Sequence, residues 1–129
     1  MSPNTNALNW FEIPVTDSAR ARKFYETIFD IKMQTDNMMG MEMTFFPYEM
    51  QAANGKISGS LVKGPMHKPS MDGAIVYLNA NPSIQTVIDK VEKAGGKLLM
   101  PRTMISEQIG YMAFFADTEG NRMALHAGN

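Results

Sequence analysis

The sequence predicts an α+β fold made of two tandem βαβββ modules. The same order of strand-like and helix-like periodicities occurs twice along 129 residues, too few for two independent domains. Each helical segment shows one apolar stripe with capping residues beside it. Between the two halves lies "GPMHKPS" (64–70), a connector punctuated by glycine and proline. A single domain over 1–129 is therefore expected, with module one at about 8–63 and module two at about 71–127.

Module one opens on "NWFEIPV" (9–15), an apolar strand that carries a glutamate. Strand alternation sends Phe11, Ile13 and Val15 to one face and Trp10, Glu12 and Pro14 to the other. In "TDSARARKFYETIFD" the residues Ala21, Phe24, Tyr25 and Ile28 fall at helical spacing, with Asp17 as N-cap, so a helix is expected near 17–29. Strands are expected at 31–36, 41–48 and 56–63.

Module two repeats this order. "DGAIVYLNA" (72–80) reads as a strand, and "NPSIQTVIDKVEKAGG" reads as a helix near 82–94. Asn81 is its expected cap, Pro82 its first position, and Ile84, Val87, Ile88 and Val91 its inner stripe. Strands follow at 97–101, 110–117 and 121–127, the last two joined by "DTEGN", where Gly120 supplies a positive φ. "PRTMISEQIGY" (101–111) reads as irregular, a loop from which Ser106, Glu107 and Gln108 could face a ligand. A ferredoxin-like α+β order is the second choice, because it strands the last two strands of each half.

Composition removes several function classes. There is no cysteine, which excludes disulfides, thiolate nucleophiles and zinc–cysteine sites. A net charge of -1 gives no reason to expect nucleic acid or an anionic membrane surface. No apolar run approaches the ~20 residues needed to span a bilayer. "MSPNTNAL" lacks the pattern of a secretory signal, so a cytoplasmic location is expected. Phosphate loops, dinucleotide fingerprints and nucleophile elbows are all missing. The 13 methionines, dense around "NMMGMEM", are expected mainly to fill the core.

"FEIPVTDSARARKFYETIF", "KAGGKLLMP" and "GYMAFFADTEGNRMALH" together resemble the vicinal oxygen chelate superfamily of glyoxalase I, extradiol dioxygenases and bleomycin-resistance proteins. The resemblance covers roughly 8–127 and looks nearest to a bacterial glyoxalase-related branch. It implies sheets curled around a shared cavity, usually in a dimer. It also implies metal ligands at set positions, and this chain departs from them. The first-strand ligand position is Trp10 and the last-strand position is Ala124; "ISGSLV" offers serine oxygens and "AIVYLNA" no His, Asp or Glu. An indole and a methyl cannot coordinate a divalent ion, so no metal and no other cofactor is expected.

Glu12 then faces the cavity, because the helices take the other face of its strand. On the last strand Met123 and Leu125 point to the helix, with Ala124 and His126 toward the cavity. Glu12 and His126 are thus the candidate catalytic pair for proton transfer, and Trp10, Tyr77, Tyr111 and Ala124 the candidate ligand-lining residues. The bland reading makes Glu12 half of a structural pair and leaves His126 half exposed. His67 reads as a loop residue; Lys63, Lys68 and Arg102 read as solvated. The leading expectation is a homodimer that binds a small organic molecule without metal. An isomerase or lyase using Glu12 and His126 comes second, and a lactoylglutathione-lyase-type metalloenzyme last.

Overall fold

The computed structural model describes residues 1–49 and 56–129. Module one runs β1 (Trp10–Pro14), α1 (Ser18–Phe29), β2 (Gln34–Met38), β3 (Met41–Phe45) and β4 (Ser58–Lys63). Module two runs β5 (Tyr77–Asn79), α2 (Ile84–Val91), β6 (Lys97–Ser106), β7 (Gly110–Ala116) and β8 (Arg122–Ala127). The sheets have the orders β1-β4-β3-β2 and β5-β8-β7-β6, with the first strand of each module parallel to its last. No helix among the described residues is long and apolar enough to cross a membrane.

Helix α1 begins where the sequence places it. Asp17 sits in extended backbone, and its carboxylate accepts the Arg20 N–H at 2.9 Å. The buried residues Ala21, Phe24, Tyr25 and Ile28 are the expected stripe. Helix α2 is shorter than expected. Its N-cap is Ser83, not Asn81, and the Ile84 N–H donates to the Asn129 carbonyl. Asn81 is occupied elsewhere: its Oδ1 accepts the Gly128 N–H at 2.9 Å.

Three strands differ from expectation: β5 pairs only over Tyr77–Asn79 where 72–80 is expected, and β2 and β6 are shifted for identifiable reasons. β2 starts at Gln34, because Met33 is fully buried and its N–H is taken by the Glu26 carboxylate at 2.8 Å. β6 does not stop at Pro101 but continues to Ser106, so the segment read as irregular is largely a long hairpin with β7. Pro101 lies on an edge strand between paired residues Met100 and Thr103, where the register shifts, and there its missing N–H breaks no ladder bond.

One core joins the modules. The Phe24 and Tyr25 rings of α1 lie 5.9 and 6.4 Å from Phe115 of β7, while Tyr25 also meets Phe46 at 5.5 Å. Ile13, Leu61, Leu78 and Leu125, from both sheets, belong to the same cluster. Each sheet thus has a helix-side face in the core and a helix-free face.

A polar seam closes this core, built from "DTEGN" (117–121). The Tyr25 hydroxyl donates to Asp117 Oδ2 at 2.6 Å, and Asn121 Nδ2 donates to the Pro14 carbonyl at 2.7 Å. Burial and the neighbouring carboxylate push the Tyr25 hydroxyl well above its ordinary pKa. The covered Glu119 carboxylate accepts the N–H groups of Thr16 and Asp17 and the guanidinium of Arg20. Burial pushes Glu119 upward, but the bonds from Arg20, Asp17 and Thr16 outweigh it and hold the carboxyl at about 2.

Candidate functional site

The helix-free face of module one gathers the most chemistry. Glu12 lies beside Ser60 of β4, which lies opposite Phe45 of β3, so all three share one row on this face. One step along β1, the Trp10 ring meets Phe45 at 6.1 Å and Tyr48 at 5.7 Å, the latter nearly perpendicular at 88°. Ser60 is fully buried, and its hydroxyl has no partner among the described residues.

Glu12 has a partner that sequence reasoning missed. His67 Nε2 donates to Glu12 Oε1 at 2.8 Å across 55 residues. The histidine comes from the connector, which turns back through a His67 N–H bond to the Gly64 carbonyl. A Cβ at Gly64 would sit 3.0 Å from His67 Nδ1 and 2.9 Å from Met41 Sδ, so the glycine gives the ring its place. The Glu12 side chain keeps 38% of its surface exposed, against 17% for His67. No periodicity marks a loop histidine; the flanking Pro65 and Pro69 are the one local sign of an ordered connector.

The expected Glu12–His126 pair is not formed. His126 Nε2 donates to the Ile109 carbonyl at 2.8 Å and fastens the β6–β7 turn to β8. Tyr77 stands on the helix-free face of module two, half exposed, with its ring 6.1 Å from Phe114. Ala124 lies between these two residues in the register and is fully buried, so its side chain offers a ligand no surface. Tyr111 shares the helix-side face with Ala113 and Phe115 and packs on the core. Arg102, expected to be solvated, rests 3.5 Å above the Tyr111 ring.

The positions where the resemblance implies metal ligands hold no side-chain set suited to a divalent ion. Trp10 and Ala124 carry no donor atom, β4 supplies serine hydroxyls, and no three His, Asp or Glu cluster among the described residues. A groove of about 1030 Å³ lies elsewhere, on the helix side between the modules. Phe11, Ile28, Phe46, Ile57, Ile75 and Val87 line it, and of the expected site residues it includes Tyr77 alone. Apolar walls flanked by the edge strands β1 and β5 suit burial against another surface better than chemistry.

Residues 7–125 match the family model of the glyoxalase/bleomycin resistance protein/dioxygenase superfamily. The chain belongs to this superfamily. It is 30% identical to a glyoxylase-like domain-containing protein of Didymella fabae, over 92% of this chain and 91% of the relative. It is also 28% identical to a Mycobacterium bovis protein provisionally named glyoxylase CFP32, over 94% of this chain and 45% of that protein. The chain thus spans less than half the length of this mycobacterial relative. Among solved structures, TnmS3, an antibiotic-binding protein from Streptomyces sp. CB03234, superposes with a TM-score of 0.66 at 16% identity, covering 99% of this chain and all of the other. At that identity the likeness is one of fold.

Proposed function

We propose that this protein binds a small organic molecule on the helix-free face of module one, and does so without a divalent metal. The observation that carries the reading is Glu12, oriented by His67 beside the Trp10, Phe45 and Tyr48 rings. Ligand sites are typically apolar and aromatic walls with a few placed polar groups, and this face has that composition. The antibiotic-binding neighbour uses the same fold, which supports a binding role. A homodimer is part of the reading, since a second copy would cover the groove and the unpaired edges of β1 and β5.

Trp10 is the chain's one tryptophan, so its emission reports on this face directly. Titration with small aromatic compounds should shift that emission saturably, and Glu12→Gln should weaken the strongest response. Unchanged emission across a broad set of both neutral and charged small molecules would overturn the reading. Sedimentation giving only a 14.4 kDa species at micromolar concentration would remove the dimer.

The 2.8 Å Glu12–His67 contact favours a second reading, proton transfer at a carbon next to a carbonyl. NMR would detect solvent deuterium entering dihydroxyacetone at that carbon, with the signal abolished in Glu12→Gln. No enrichment above the uncatalysed rate would dismiss it.

A further inference from the structure

The charge and ring geometry of this face select a ligand class. We propose that the molecule bound there carries an ammonium group, protonated or quaternary, held between the Trp10, Phe45 and Tyr48 rings and the Glu12 carboxylate. The inference rests on the proposed binding role and names its substrate chemistry.

Two observations select the ligand's charge, and a third describes the floor beneath it. The first is the sign of the charge. Register places Glu12 and Asp36 on the helix-free face of module one, and no strand position on that face carries Lys or Arg. His67 bonds Oε1, and the carboxylate stays partly open to water. An anionic ligand would meet like charge here.

The second is the arrangement of the rings. Tyr48 stands nearly perpendicular to Trp10, and Phe45 is inclined to it by 58°. Rings at steep angles form a corner whose negative π faces point in different directions. A compact cation with apolar methyl or methylene groups fits such a corner, attracted by the ring quadrupoles and losing little hydration. Trp10 is half-buried and Tyr48 is 51% exposed, so part of these faces is open to an incoming group.

The third is the floor. Ser60 lies between Glu12 and Phe45 in the register, fully buried, and its hydroxyl lacks a partner among the described residues. An unsatisfied buried hydroxyl is costly. A hydroxyl donates as well as accepts, so this floor is polar without selecting the sign of a ligand's charge. Met41 and Met43, on the same face of β3, add polarisable and adaptable thioethers to the wall.

The test compares choline with 3,3-dimethylbutan-1-ol, its uncharged isostere, on the full chain. Trp10 emission and calorimetry provide independent readouts. Choline should bind saturably and about tenfold or more tightly than the isostere, the size of a partly desolvated cation–π contact with a carboxylate beside it. Glu12→Gln should collapse that discrimination. If this variant fails to fold, Tyr48→Leu serves instead, because an exposed ring can be removed without opening the core; it should lower choline affinity several-fold. Equal affinity for the two compounds overturns the proposal. A neutral aromatic compound that shifts Trp10 emission while choline does not also overturns it, and leaves the binding role standing. Silence from choline and every neutral compound overturns both.

Discussion

The helix-free faces of the two modules show how one folding pattern, used twice, came to carry different chemistry. Each has an aromatic pair on its first and third strands: Trp10 with Phe45 in module one, and Tyr77 with Phe114 in module two. Each also has a histidine within reach. In module one the connector turns back so that His67 leaves part of the Glu12 carboxylate facing outward. In module two His126 is consumed in holding the Ile109 carbonyl, and the strand position beside Tyr77 is a buried alanine. Backbone topology places side chains in equivalent positions; the loops decide which remain available for a ligand.

The largest test asks whether the two faces belong to one cooperative body. Phe115→Ala removes a ring that contacts Phe24 and Tyr25 of the other module, and should cost about 3–5 kcal/mol. Urea denaturation should still show a single transition. Two separate transitions, with module one unaffected, would split the molecule at the point where we join it.

Next comes the seam. Glu119→Gln keeps the shape and an acceptor oxygen but removes the charge that Arg20 and two backbone N–H groups address. It should cost about 2 kcal/mol near neutral pH. The folded carboxyl sits at about 2, below an ordinary value of 4.5, so its contribution is complete above about pH 4.5 and fades as the pH falls toward 2. The stability gap between wild type and Glu119→Gln should therefore close on acidification. A gap that widens would reverse the assigned sign.

A matched pair of variants sharpens the contrast between the faces. His67→Ala frees the Glu12 carboxylate, and should change ligand response at Trp10 with about 1 kcal/mol of stability lost. His126→Ala should lose a similar amount, from the Ile109 bond, with the Trp10 response intact. If His126→Ala altered ligand response as strongly as His67→Ala, the functional asymmetry would be lost. The smallest effect belongs to Arg102→Ala, which removes a surface cation from the Tyr111 ring and should cost about 0.5–1 kcal/mol, read by thermal melting.

Much of the architecture was legible because it is written in local periodicity. Ala21, Phe24, Tyr25 and Ile28, then Ile84, Val87, Ile88 and Val91, were expected to be inner stripes, and they are the buried apolar residues of their helices. The turn at Met39 and Gly40, both at positive φ, closes a hairpin between the two strands expected around it. The methionines were read less well. Met33 and Met123 lie in the core, but Met38, Met39, Met66, Met71 and Met104 are exposed, and Met50 lies outside the described residues. A flexible apolar side chain gives no directional signal unless its strand register is known.

By itself the sequence determined the order of elements, the two helical stripes and the division of β1 into two faces. Those follow from interactions within a few residues, where the 3.6 and 2.0 periods and the caps act. Tertiary structure alone decided what Glu12 meets, what His126 is used for, and why Glu119 is charged under cover. Glu12 finds its partner 55 positions away, and Glu119 reaches Thr16 across 103. No local pattern encodes such meetings: whether a polar side chain on a strand or loop pairs, rests on a ring or faces a ligand is settled when distant segments compete for its hydrogen bonds as the core closes.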